Sequence, residues 1–416
     1  MNVINLWRRF ASHRLITGEG CGADVSFAYM DTTLPFDAVT SSFRRPRFDR
    51  VAITSVFGNP RELRTWSGAP ANVASALERL GVVVQAIQPR ISRMAKARIA
   101  LVDMMAGRGR PLSGEQVLRG LATRRRLAAQ VDEAARRLGV QHVLHTGTLD
   151  LLPSAEMAGG TRHYLYCDHT WALSSAHHPL AARYTDRARR AFEQAERQSL
   201  SGLAHVFTFG RYVRDNLVAH YGLSPDRVTA VGSGMGSIEP WRGPKDYGRP
   251  ALLFVAKHLF QAKGGALLLE AFRIARARRN DLTLTIVGDE RSRAFVPPER
   301  GVTFRAHLPW SELQQLFRDS TLLVQPMLND PWGQVYLEAM VSRTPVMGLA
   351  RNGLPELVDG GRHGFLVDRA APEALAGAIL CALSDPERLE RMAEAAQRYV
   401  LGTHGWDRVA ERILFS

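Results

Sequence analysis

Short apolar strands alternate with helices along most of the chain, and the pattern breaks once and then restarts. A parallel strand pair needs a crossover of a dozen or more residues, so this alternation points to parallel sheets covered by helices. In the first half, strands are expected at 50–57, 82–87, 142–146, 163–167, 205–209 and 227–231, with helices at 71–80, 119–138, 183–200 and 213–221 between them. The turn-rich stretch 232–250 lacks apolar periodicity and is the expected linker. The pattern resumes with strands at 251–255, 282–287, 302–305, 322–325, 345–348 and 365–367 and with intervening helices, including one at 332–342. The expected fold is α/β: two tandem Rossmann-like doubly wound domains facing a crevice. The expected boundaries are an extension at 1–49, a first domain at 50–240, a second at 241–400, and a final helix at 401–416 packing back on the first. Ligands bind such sheets outside the carboxyl ends of the strands, which suggests an enzyme acting on a phosphorylated or nucleotide ligand.

Length and charge agree with this reading. A chain of 416 residues is long enough for two domains with ordinary cores. It contains no run of about 18 apolar residues, and its first ten residues lack the apolar stretch of a secretory signal. Cys21, Cys167 and Cys381 lie far apart, with no paired spacing for zinc. A cytoplasmic setting is therefore expected. The net charge of +14 comes with no nucleic-acid-binding signature, so nucleic acid is not an expected partner. Residues 1–15 place Val3, Ile4, Leu6, Trp7 and Phe10 among Arg8, Arg9 and Arg14. That amphipathic pattern fits either an arm packed on the first domain or peripheral contact with anionic lipid.

Almost every basic residue is arginine, and the only lysines are Lys96, Lys245, Lys257 and Lys263. Two of the four lie six residues apart, which hints at compact point charges in that segment. The segment 325–340, Gln-Pro-Met-Leu-Asn-Asp-Pro-Trp-Gly-Gln-Val-Tyr-Leu-Glu-Ala-Met, runs from a strand into a helix. Asp330 is the expected N-cap and Pro331 the first helical residue. The amides at Gly333 and Gln334 would then offer a diphosphate site on the helix dipole. Glu338, eight residues past Asp330, would lie roughly 12 Å further along the helix.

Acid-Pro-Trp-Gly-x-x-x-x-Glu at 330–338 resembles the paired-acid motif of the retaining glycosyltransferase family four, the glycosyl transferases group 1, of GT-B fold. Around it, 254–272, 282–289 and 345–368 resemble the family's other blocks in order and spacing, and the likeness is continuous from about residue 200 to the end. The resemblance implies hexosyl transfer from a nucleotide-diphosphate sugar to an acceptor hydroxyl, with retention. The acceptor would be a glycan, a polysaccharide or a lipid-linked sugar, and no cofactor or metal would be needed. It implies that Lys257 and Lys263 neutralise the diphosphate, that Asp330 faces the transferred sugar and that Glu338 holds the ribose. The family more often has glutamate where Asp330 stands. Asp289 falls near the base and ribose. In the first half, Gly68 within Trp66-Ser67-Gly68 resembles the glycine loop over the donor phosphate, and His169 is the expected histidine near the reacting sugar, with Asp168 behind it. The rival readings are an epimerase or phosphorylase on the same fold and a non-catalytic nucleotide-sugar-binding subunit.

Overall fold

A computed structural model describes residues 46–95, 97–98, 101, 118–152, 160–177, 184–236, 238–256, 259–306 and 308–416. Lys257 and the amphipathic segment 1–15 fall outside these residues. Among the described residues the chain forms two compact units, one spanning 46–236 together with 403–416 and the other spanning 238–402.

The first unit contains strands β1 (Arg50–Thr54), β2 (Val83–Ile87), β3 (His142–Thr146), β4 (Arg162–Cys167), β5 (His205–Thr208) and β6 (Val228–Ala230). Helices α1 (Ala69–Arg79), α2 (Leu121–Arg137), α3 (Trp171–His177), α4 (Asp186–Ser201) and α5 (Arg211–Ala219) connect them, and α12 (Trp406–Phe415) rejoins this unit from the far end of the chain. The strands pair in parallel in the order β2-β1-β3-β4-β5-β6. Helix α12 packs on α1, burying Val409, Ala410, Ile413 and Leu414.

The second unit contains β7 (Ala251–Ala256), β8 (Thr283–Gly288), β9 (Val302–Ala306), β10 (Leu322–Val324), β11 (Val346–Leu349) and β12 (Phe365–Val367). Its helices are α6 (Gly265–Arg278), α7 (Trp310–Asp319), α8 (Gln334–Val341), α9 (Leu354–Leu357), α10 (Pro372–Leu383) and α11 (Pro386–Thr403). The parallel order is β12-β11-β10-β7-β8-β9. All six β7 residues are buried, so that strand reads as a continuous apolar run, as a strand covered on both faces must. On one face Phe254, Leu268, Phe272 and Ile379 interlock with exposures of zero. Each such side chain contributes about 2–3 kcal/mol of burial to the domain.

Each strand order reverses once: between β1 and β3 in the first sheet, and between β7 and β10 in the second. At such a switch point the loops leave in opposite directions and open a crevice at the carboxyl edge. The loops after β7 and β10, and those after β1 and β3, are therefore the places to look for a site.

Candidate active site

The loop after β7 and the loop after β10 are zipped together by their backbones. The Met327 N–H donates to the Lys263 carbonyl and the Asn329 N–H to the Ala262 carbonyl, both at 2.9 Å. Gln325 fixes the strand below them: its amide donates to the Val255 carbonyl at 2.9 Å and accepts from the Val255 N–H at 3.1 Å. Tyr336, fully buried on α8, donates its hydroxyl to the Gln325 carbonyl. This scaffold delivers Lys263 Nζ to within 2.9 Å of Asp330 Oδ2.

The structure corrects the expected start of the following helix. Asp330 is not its N-cap: α8 begins at Gln334 behind Gly333, which adopts φ 76°. Asp330-Pro331-Trp332 is loop, so Asp330 and Glu338 do not share one helix and the expected 12 Å helical rise between them does not hold. The reason is local. A Cβ at Gly333 would lie 2.7 Å from the Tyr336 ring and 2.9 Å from Met327 Cε, so only glycine fits the left-handed turn that aims the loop. Two contacts from beyond β11 hold the loop in place: Asn352 Nδ2 donates to the Asp330 carbonyl at 3.1 Å, and the Gly353 N–H to the Pro331 carbonyl at 3.0 Å. Gly333 and Gln334 still stand at the N-terminus of α8, where amides and dipole favour an anion. Glu338 is 8% exposed one turn further along.

Asp289 follows β8 and caps a 3-10 turn at Glu290–Phe295, its Oδ1 accepting from the Ser292 N–H at 2.9 Å and the Ser292 hydroxyl at 2.6 Å. This is the turn-forming role open to any such aspartate. The structure thus brings Lys263, Asp330, Gly333, Gln334 and Glu338 onto two linked loops and one helix, and leaves Asp289 at the neighbouring strand.

Gly68 and His169 belong to the first unit. Trp66, Ser67 and Gly68 adopt φ 43°, 54° and 82° in succession just before α1. Left-handed backbone costs a non-glycine residue about 1–2 kcal/mol, so two such residues in a row mark a turn held for a purpose. Consecutive amides in turns of this kind converge on a shared concavity suited to an anion. His169 lies between β4 and α3, its ring 6.1 Å from that of Tyr212, whose hydroxyl donates to the Asp168 carbonyl at 2.9 Å.

Sequence reasoning missed a buried polar chain beneath the same edge. Thr54 donates to Asp150, whose Oδ1 lies 3.1 Å from His145 Nδ1, and His145 Nε2 meets His163 Nδ1 at 3.0 Å. Burial, then the nearby His145, pushes the His163 imidazole down to about 3. Burial raises the Asp150 carboxyl, but the charge and hydrogen bond of His145 and the Thr54 hydroxyl outweigh it and hold the group below its usual range. Of these residues only His145, a polar residue near the end of an expected strand, carried a sequence signal. Among the described residues, no group of three or more His, Cys, Asp or Glu is arranged to hold a metal ion, and no helix is long and apolar enough to cross a membrane.

Two Rossmann-like units, the second carrying a lysine–acid pair and a helix N-terminus at its switch point, define the GT-B class of α/β fold. Residues 238–399, within the second unit, match the family model of the glycosyl transferases group 1. It is 28% identical over 301 residues to the D-inositol 3-phosphate glycosyltransferase of Corynebacterium glutamicum (strain R), covering 64% of this chain and 71% of that one. It is 29% identical over 253 residues to the alpha-maltose-1-phosphate synthase of Mycolicibacterium smegmatis (strain ATCC 700084 / mc(2)155), covering 53% and 64%. Against several further curated relatives the match spans about half of their length. Among solved structures, sucrose-phosphate synthase from Thermosynechococcus elongatus superposes with a TM-score of 0.69 at 17% identity, over 88% of this chain and 97% of that one.

Proposed function

We propose that the chain transfers a hexosyl group from a nucleotide-diphosphate sugar to an acceptor hydroxyl, with retention at the anomeric carbon. The observation that carries this reading is the Lys263–Asp330 pair at the second sheet's switch point, directly ahead of the α8 N-terminus. Lys263 and the amides of Gly333 and Gln334 supply positive charge where a leaving diphosphate gains negative charge, an interaction that strengthens toward the transition state. Lys257, which directly follows β7 in sequence, would add a second cation. Asp330, held by Lys263, would orient the sugar hydroxyls, and Glu338 the ribose. From the carboxyl edge of the first domain, Gly68 would lie over the donor phosphate and His169 near the reacting sugar.

Thermal shift against a panel of nucleotide sugars tests this directly. The expected outcome is stabilisation of several degrees by one base and sugar, followed by product formation when acceptors are added to that donor. The relatives' names justify including phosphorylated polyols and sugars beside glycans and lipid-linked sugars. No stabilisation by any nucleotide sugar sinks the reading. With lysines and a helix dipole in the metal's electrostatic role, turnover is expected to survive a chelator; loss with EDTA and recovery with magnesium or manganese would refute that part.

A further inference from the structure

Three loops at the carboxyl edge of the second sheet carry charged residues: those after β7, β10 and β11. Among the described residues they hold Lys263, Asp330 and Arg351. Lys263 and Asp330 are paired at 2.9 Å, so their charges offset each other. Arg351 is different. Its backbone N–H donates to the Leu349 carbonyl at 2.7 Å, but its guanidinium has no ion pair or hydrogen bond among the described residues.

A part-buried arginine normally finds acceptors, because five N–H donors lose water on burial and each unmet one carries a cost. Three part-buried arginines of the same unit follow the rule, whereas Arg318 instead lies over the Trp241 ring at 4.3 Å. Arg276 donates to the Leu282 carbonyl, Arg279 donates to the Leu383 carbonyl at 2.9 Å and pairs with Asp281 at 3.3 Å, and Arg343 donates to Gln397 at 3.2 Å. Arg351 is part-buried as they are, and burial alone pushes its guanidinium below the ordinary range. Its position in the chain ties it to the site. The next two residues, Asn352 and Gly353, are the ones that fasten the Asp330 and Pro331 carbonyls at 3.1 and 3.0 Å.

We propose that Arg351 grips an anionic group of the donor. The planar fork of a guanidinium matches the paired oxygens of a carboxylate or a phosphate. Two parts of a nucleotide sugar offer that chemistry: a carboxylate on the transferred sugar, as in a hexuronosyl donor, or the diphosphate itself. The inference rests on the donor reading above.

The test measures binding of UDP-glucose, UDP-glucuronate and UDP to the full-length wild type, Arg351→Met and Arg351→Lys, with the corresponding guanine, thymine and adenine nucleotides in parallel. Circular dichroism and thermal unfolding check that the variants remain folded. A ten- to hundredfold loss for the hexuronate in Arg351→Met, with the neutral hexose and the free nucleotide within twofold, supports the proposal and identifies the sugar carboxylate. A similar loss for all three ligands supports it and identifies the diphosphate. Arg351→Lys should restore part of the loss in either case, because it returns the charge without the fork. Donor binding that is indifferent to both substitutions in folded protein overturns the proposal and leaves the donor reading standing. Failure of every nucleotide and nucleotide sugar to bind wild type overturns both.

Discussion

Lys263 and Asp330 show how much of this site depends on single atoms. Their side chains are 19% and 23% exposed, so the ion pair is worth on the order of 1 kcal/mol and its loss should leave folding nearly intact. On the proposed function the same lysine would be worth more during reaction, when the diphosphate leaves. We therefore expect Lys263→Ala to lower kcat about a hundredfold or more while the midpoint of thermal unfolding moves by only a few degrees. A kcat within threefold of wild type would remove Lys263 from the chemistry. Glu338 should behave in the opposite way. It is nearly buried on α8, and the proposed charge-assisted contact to the ribose would be worth roughly 1.5–3 kcal/mol in both ground and transition states. Glu338→Gln is thus expected to raise the donor KM tenfold or more with kcat little changed. If kcat falls instead while KM stays, the acid acts on the reacting sugar and its role has been misassigned.

At the scale of elements, the turn before α8 decides where the acids sit, and it is also where sequence reasoning went furthest astray. Asp-Pro followed by a helical run satisfies every local rule for a cap and a first helical residue. The local rules lose to packing constraints: Tyr336 and Met327 leave no space for a Cβ at Gly333, while Asn352 and Gly353 hydrogen-bond the preceding carbonyls. Neither contact can be read from a window of sequence, because Asn352 is 22 residues from its partner. By contrast, the parallel sheets were legible, since apolar runs such as Leu252–Val255 and the helical periodicity after them are local signals. The proximity of Lys263 to the 330 loop was implied only through family resemblance; its cause, backbone pairing across the switch point, is non-local. Gly333→Ala measures the turn's importance. Left-handed strain plus the clash with Tyr336 should destabilise the second domain by about 2 kcal/mol or more. Denaturant unfolding reads this directly, and an unchanged midpoint would mean that the loop relaxes freely and that Gly333 imposes no geometry.

The whole molecule titrates unevenly, because its buried imidazoles are concentrated in the first unit. His163, His205 and His404 are 5–6% exposed there. Burial is the leading cause in each case, and it lowers their pKa values to about 3, about 4 and about 4. His142 in the same unit is also pushed down by burial. The sign follows from proton counting. Below the unfolded pKa of roughly 6.5 the unfolded chain takes up protons that the folded unit refuses, so stability falls with pH from there to about 4. Each fully responding histidine removes up to about 1.4 kcal/mol per pH unit in that window. Two groups act the other way: burial raises the carboxyls of Asp132 and Glu196, which favours the folded unit as they protonate. Four imidazoles against two carboxyls leave a net loss. Hydrogen exchange followed by mass spectrometry, corrected for the intrinsic pH dependence, should show protection in β4 and β5 weakening from pH 6.5 to 4.5. His205→Gln should flatten that slope, since glutamine can keep a hydrogen bond to the Thr229 hydroxyl, now 2.8 Å from His205 Nε2, without a titrating ring. If β4 and β5 lose no protection across this range, the imidazoles are protonated in the folded chain and the burial argument for the first domain fails.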